Sequence, residues 1–335
     1  MASLSEEDTV SERGAVCASS LCHSSRRDFL KGATVLAAGL AATPGGQAAE
    51  AGALPTVKLA GHKVTRLIAG GNPLFGYSHM CGLLDQFMRE YFTDQQVVRF
   101  MLACEKAGIN TWQSNYPAPL ERQLPLIREA GCKVQWVALA DPWDIDRNAV
   151  TPETIWATAQ KCVTRAAKHK PIAIALRGVE TDQLHREGKL EVCRDFVNYV
   201  HDAGLPAGIS AHDPAAIEAL ESKGWPIDFY MACFYRVTRG AEEFQKEIGT
   251  LPVGETYLAA DPERMCRVIR QVTKPCLGFK ILAAGRRCDS PQSVRKAFEY
   301  AFQNIKPTDA VIVGMIPKFS DHISANVQHV REICV

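Results

Sequence analysis

The sequence lacks a charge excess of either sign: 38 Lys and Arg face 37 Asp and Glu, a formal net charge of +1. A nucleic-acid partner or an anionic membrane surface would call for a basic patch, and none is indicated. No apolar run reaches the roughly 18 uninterrupted residues of a membrane span, which excludes a multi-span membrane protein. Hydrophobic residues make up 47% and charged residues 22% of the 335 residues, which excludes a disordered chain, a collagen-like repeat and a small disulfide-stapled scaffold. The 12 cysteines contain no Cys-x-x-Cys pair. Most occupy apolar positions, such as Cys104, Cys162, Cys193 and Cys233, where a small buried hydrophobe is expected rather than a zinc or iron–sulfur ligand. His-x-His and His-Glu-x-x-His are also missing, so a metal would need two or three of His79, Asp141, Glu180 and His212 to converge, and none is expected. Without a Gly-x-Gly-x-x-Gly segment there is no hidden Rossmann domain.

What is present begins with an address. Ser25-Arg26-Arg27-Asp28-Phe29-Leu30-Lys31 resembles the bacterial twin-arginine export signal. A weakly apolar run over 32–42 and a small-residue site, Ala49-Glu50-Ala51, follow it. The competing reading is an amphipathic first helix of the fold. The organisation expected is a signal peptide over 1–51 and a mature domain over 52–335, handed to the twin-arginine translocase and released as a periplasmic or secreted protein. No Leu-x-x-Cys follows the apolar run, so neither a lipid anchor nor stable membrane insertion is expected. The resemblance implies export of a folded protein, and a redox enzyme sent outside the cytoplasm would have to keep its cofactor bound.

In the mature domain, short apolar runs alternate with helical patterns. The strand candidates are 66–69, 111–113, 135–139, 172–176, 206–210, 229–233, 276–280 and 310–313. Their continuous hydrophobicity suits parallel strands buried on both faces. Helix starts are marked by Thr93 with Gln96, and by Thr151, Asp213, Asp261 and Ser290, each of these four followed by a proline. Gly108, Gly131, Gly204 and Gly224 stand where helices should end. Eight β-then-α units predict an α/β fold, a (β/α)8 TIM barrel, with the segment 57–64 as an N-terminal hairpin closing its bottom. Two connections are long, 70–93 after the first strand and 234–260 after the sixth. Both leave the face where barrel enzymes keep their sites.

Several segments resemble the aldo/keto reductase superfamily. His62-Lys63-Val64-Thr65-Arg66-Leu67-Ile68-Ala69-Gly70-Gly71-Asn72 is similar to that family's opening hairpin and first strand. Glu105-Lys106-Ala107-Gly108-Ile109-Asn110-Thr111-Trp112-Gln113 is similar to its second strand and Gly208-Ile209-Ser210-Ala211-His212 to its fifth. Phe279-Lys280-Ile281-Leu282-Ala283-Ala284-Gly285-Arg286 is similar to its seventh, and Val313-Gly314-Met315 through Ile323-Ser324-Ala325-Asn326 to its cofactor end. The resemblance implies NADP(H) as cofactor, held by Gly314, Lys318 and Asn326, and a tyrosine that protonates a carbonyl beside a lysine. The family's catalytic positions are altered here. Gln113 stands for the aspartate, Leu139 or Ala140 for the lysine and Arg177 for the histidine, while Tyr116 follows the second strand at a shifted spacing.

The catalytic candidates are therefore Tyr116, Arg177, His212 and Lys280. Arg177 offers a fork of donors for a carboxylate, phosphate or polarised carbonyl, or else a salt bridge to Asp141 or Glu180. His212 suits general acid/base work, or a structural hydrogen bond. Lys280 would bind an anionic group, hold a cofactor phosphate or form a Schiff base. Asn72, His79, Gln113, Asn115 and Tyr235 are the candidate substrate-binding residues. Three readings compete. The leading one is an exported, NADP(H)-dependent reductase of a sugar-like or polar carbonyl with a degenerate tetrad. The others are a non-redox lyase or isomerase using Arg177, His212 and Lys280, and a non-catalytic binding protein on the same scaffold.

Overall fold

The computed structural model describes residues 53–141 and 150–334. The twin-arginine segment, the apolar run and the small-residue site lie outside the described residues. Two short strands, β1 (Thr56–Leu59) and β2 (His62–Thr65), pair antiparallel from Thr56 opposite Thr65 to Leu59 opposite His62. Eight parallel strands then close a barrel: β3 (Leu67–Gly70), β4 (Thr111–Asn115), β5 (Gln135–Ala140), β6 (Ala173–Leu176), β7 (Ala207–Ala211), β8 (Phe229–Cys233), β9 (Cys276–Phe279) and β10 (Ala310–Gly314). Each pairs with the next in sequence, and β10 returns to β3 with Val311 opposite Leu67.

The barrel interior is filled by Ile68, Val137, Ala173, Ala175, Phe229, Met231, Leu277, Ala310 and Ile312. Leu59 and Val64 of the hairpin join this cluster, so the hairpin plugs one end as the sequence predicts. A second, larger core lies between strands and helices. The helices that matter for the site are α1 (Gly82–Tyr91), α2 (Asp94–Lys106), α3 (Ala118–Glu129), α4 (Pro152–Ala167), α5 (Gly178–Arg186), α6 (Glu191–Asp202), α7 (Pro214–Ser222), α8 (Ala241–Ile248), α9 (Asp261–Gln271), α10 (Pro291–Asn304) and α11 (His322–Ile333). Thr93, Thr151, Asp213 and Ser290 each accept a backbone N–H at a helix start. Gly108, Gly131, Gly204 and Gly224 follow helices with φ of 95°, 82°, 74° and 64°.

Four expectations need correction. Asp261 does not cap α9, because Ala260 holds that position and the buried Asp261 carboxylate binds the Arg239 guanidinium instead. Arg66 stands outside the first barrel strand, where its side chain donates to Asp309 O at 2.9 Å and lies over the Phe302 ring. The fourth connection carries two helices, α5 and α6, where the pattern predicted a single β-then-α unit. Lys280 lies beyond β9 in a left-handed conformation, φ 59°, which ends the strand one residue early.

Candidate active site

The C-terminal ends of the strands carry two contiguous polar networks, with a His–Asp pair beside them. One network joins the first, sixth and seventh βα loops. Asn72 opens the loop after β3, and its Nδ2 donates to His79 Nε2 at 3.0 Å. His79 Nδ1–H in turn donates to Glu255 Oε1 at 2.7 Å. This assignment leaves the ring neutral, and burial pushes the His79 pKa down, outweighing the Glu255 carboxylate. Glu255 also accepts from Tyr257 Oη at 2.7 Å and from Lys280 Nζ at 3.3 Å. Burial alone would raise the Glu255 pKa, but the His79 hydrogen bond and the Lys280 charge hold it well below the usual carboxylate range. The Lys280 ammonium lies 3.3 Å from Tyr257 Oη, and burial with the neighbouring carboxylate keeps that phenol protonated. Tyr235 supports the network from behind, its ring 5.1 Å from that of Tyr257. His79 and Lys280 both hold left-handed backbone, φ 57° and 59°. Such conformations cost about 1–3 kcal/mol each and persist where surrounding contacts impose them.

The second network joins the second, third and fourth strand ends. Asn115 Nδ2 donates to Asp141 Oδ2 at 3.2 Å. Asp141 accepts from Arg177 Nη1, and Arg177 Nε lies 3.4 Å from Glu180 Oε2. Both salt bridges weighed for Arg177 are formed, so two carboxylates compete with any incoming anion for its guanidinium. Burial pushes the Glu180 carboxyl up to about 7 despite Arg177.

Beside these networks lies His212. Its Nδ1–H donates to Asp182 Oδ2 at 2.9 Å. Asp182 is fully buried, and its carboxylate also accepts from the His212 and Asp213 backbone N–H groups and from Thr238 Oγ1 at 2.7 Å. Four donors fix the carboxylate, and the carboxylate fixes the imidazole tautomer with its lone pair on Nε2. Gly178 starts α5 against this ring. A Cβ there would come within 2.8 Å of His212 Cε1, so only glycine lets the Arg177 loop pass. The His212 ring lies 5.6 Å from that of Phe279, the residue before Lys280, which sets the His–Asp pair beside the first network.

Other expected residues lie apart from this arrangement. Tyr116 is not at the mouth: its Oη donates to Glu121 Oε1 at 3.2 Å, and burial raises its pKa to about 12. It packs on Trp136 and His169 beneath the Arg165 guanidinium, facing the helix layer. Gln113 is buried within β4. The expected nucleotide residues do not form a phosphate cradle. The space beside Gly314 is taken by the Pro73 ring, 2.9 Å from where a Cβ would stand. Lys318 holds its ammonium over the Tyr91 ring, and Asn326 is buried on α11. The amides opening α11 are met by the Asp321 carboxylate, which accepts from Ser324 N at 3.0 Å and opposes an incoming phosphate. As they stand, Gly314, Lys318 and Asn326 do not fit a nucleotide. Among the described residues no group of three or more His, Cys, Asp and Glu side chains is placed to hold a metal.

The site residues missed in the sequence are Asp182, Thr238, Glu255 and Tyr257. Asp182 carries no local signal, standing mid-helix five positions beyond Arg177. For the other three, the length of the 234–260 connection was the only pointer.

No protein-family model matches the chain, and no curated protein matches it. Solved structures do. One described as an aldo-keto reductase from Pseudomonas aeruginosa is 17% identical and superimposes with a TM-score of 0.55, covering 84% of this chain and 94% of its own. A second structure so described from the same organism is 18% identical with a TM-score of 0.55, over 86% and 100%. An aldo-keto reductase from Bacillus halodurans in its holo form is 14% identical with a TM-score of 0.51, over 83% and 91%. The chain is a (β/α)8 barrel with an N-terminal β-hairpin and a distant structural similarity to the aldo-keto reductases.

Proposed function

We propose that this chain is an enzyme that moves a proton at the carbon beside a carbonyl group, isomerising or dehydrating a small polar substrate. The observation that carries this is the Asp182–His212 pair: an orienting carboxylate, fully buried, holding an imidazole whose other nitrogen is a base. His212 Nε2 takes the proton, the C–H electrons form the C=C of an enediolate, and the former carbonyl oxygen becomes the oxyanion. Lys280 Nζ supplies a donor for that oxyanion, with the Tyr257 hydroxyl 3.3 Å away and its O–H held by Glu255. Return of the proton from His212 to the former carbonyl carbon, with the neighbouring hydroxyl proton passing to the oxyanion, gives the isomer, whereas a β-hydroxyl that leaves with the His212 proton as water, as the oxyanion reforms the carbonyl, completes an elimination. His79 and Asn72 position Glu255, which holds Lys280 and Tyr257 in place.

The test is incubation of the full chain, without nucleotide, with a panel of neutral sugars and sugar acids, followed by NMR of the products. An isomer or dehydrated product formed by the wild type and lost in His212→Asn supports the proposal; turnover that survives in His212→Asn sinks it. A second reading, reduction of a carbonyl by NADP(H), rests on the resemblance to the aldo-keto reductases alone, since Gly314, Lys318 and Asn326 form no phosphate cradle and the Tyr257 O–H is held by Glu255. Titration with NADPH separates the two, because micromolar binding would favour reduction. The same proposal extends to location. The Ser25–Lys31 motif supports export by the twin-arginine translocase, with the enzyme working in the periplasm or outside the cell.

A further inference from the structure

The loop after β9 bends sharply to place two cations. Lys280, Ala283 and Ala284 all hold left-handed backbone, φ 59°, 49° and 50°, and none of them is glycine. Such residues cost free energy and cluster where a loop must aim a side chain. The side chains so aimed are Lys280 and, at the end of the same turn, Arg286. Arg286 Nη1 donates to His79 O at 3.2 Å and to Ala283 O at 3.3 Å, and its Cζ lies 4.1 Å from the centroid of the Tyr257 ring. One side chain thus spans the first, sixth and seventh βα loops, the three that build the first network.

These contacts fix the guanidinium without exhausting it. Both bonds fall on Nη1, whereas Nε and Nη2 meet no acceptor among the described residues. Nε–H and one Nη2–H point the same way, and this edge is the fork that takes both oxygens of a carboxylate side-on. Arg177 pairs with Asp141 and Glu180, but Arg286 forms no ion pair with a carboxylate among the described residues. The residue is exposed, so a ligand can reach it. Lys280 Nζ lies 5.7 Å from the centroid of the same Tyr257 ring, which sets the two cations a small molecule's length apart. Within this network His79 is neutral and Lys280 is matched by Glu255, so the charge of Arg286 alone is uncompensated. A single positive charge suits a carboxylate better than a phosphate, which carries close to two negative charges.

We infer that the substrate is a sugar acid, whose carboxylate is bound by the Nε/Nη2 edge of Arg286 while Lys280 meets its reacting carbonyl. The inference rests on the mouth being a carbonyl site, and it is tested by binding alone. Calorimetry with the full chain would compare uronic and keto sugar acids with the neutral sugars of the same configuration and with their phosphates. At least one acid should bind about tenfold tighter than its neutral counterpart. Arg286→Met keeps an unbranched side chain over the Tyr257 ring but removes the fork. The ratio should then fall close to one, while the affinity for the neutral sugar holds. If Arg286→Met does not fold, Arg286→Gln, which can still donate to a loop carbonyl, gives the same reading. Equal affinity for acid and neutral sugar in the wild type, no binding of any acid, or preference for the phosphate would each overturn the inference. So would a loss shared equally by acid and neutral sugar in the variant, the mark of a residue that only clasps the loops. Acid-selective binding through Arg286 without turnover would remove the proton-transfer reading and leave the carboxylate site standing. Turnover of neutral sugars without preference for acids would remove the carboxylate site alone.

Discussion

At the scale of single residues, the chemistry rests on what holds His212. Asp182→Asn replaces an acceptor with a group that can present N–H to Nδ1, which favours the wrong imidazole tautomer while keeping the shape. Turnover should fall about 10²- to 10⁴-fold, the size expected for loss of a general base, with a modest fall in melting temperature because the amide NH2 faces donors that the carboxylate accepted. A fall in activity matched by a collapse in stability would show Asp182 to be structural. Glu180 gives a pH-dependent signature. Its folded pKa, raised by burial to about 7 from 4.5, means the folded state holds a proton that the unfolded state has released between those values. The stability it contributes is complete below 4.5 and is lost as pH rises through about 7. Glu180→Gln removes this titration, so its melting temperature relative to wild type should rise between pH 5 and pH 8. A constant difference over that range would show that Glu180 does not titrate there.

At the scale of elements, the barrel depends on where small residues let strands and rings pass. Gly208 on β7 pairs with Phe229 on β8, and a Cβ at Gly208 would stand 2.3 Å from the Phe229 ring. Phe229 is fully buried and cannot swing out. Gly208→Ala should therefore destabilise the fold by about 1–3 kcal/mol, the range for overpacking a core, as read by denaturant unfolding. An unchanged midpoint would contradict this packing. The elements themselves were legible because each unit repeats the same signals. An apolar run, a capping residue such as Thr151 or Ser290, and a closing glycine such as Gly131 are local properties of the chain. Asp261 defeated that logic because a buried Arg239 guanidinium competes for its carboxylate, and nothing near Asp261 in sequence announces that partner. Lys280 ended its strand early for a similar reason, drawn by Glu255 and Tyr257, which lie more than twenty residues away.

At the scale of the whole molecule, the barrel places strand ends together whatever their order in the chain, and this decides what sequence reading reaches. Arg177, His212, Lys280, Asn72 and His79 were legible as candidates because each follows an identifiable strand or opens a long loop. Their partners were not, since Asp182 pairs with a residue thirty positions on and Glu255 joins His79 across 176. Tyr116 was misplaced because the turn after β4 sends it toward α3 and Glu121, a direction that periodicity does not specify. The proposed export belongs to this scale as well. Replacing Arg26 and Arg27 together with lysine should leave the chain in the cytoplasm, as cell fractionation would detect, and continued export would remove the twin-arginine reading.

The central claim is that His212 moves a carbon-bound proton. Its most direct measurement is deuterium wash-in, with the full chain and a panel of neutral and acidic carbonyl sugars in D2O, followed by NMR at the carbon beside the carbonyl. Proton transfer through His212 predicts enzyme-dependent deuteration of at least one sugar without any nucleotide, and its loss in His212→Asn. Deuteration at the same rate in wild type and His212→Asn, or none with any sugar in the panel, would contradict it.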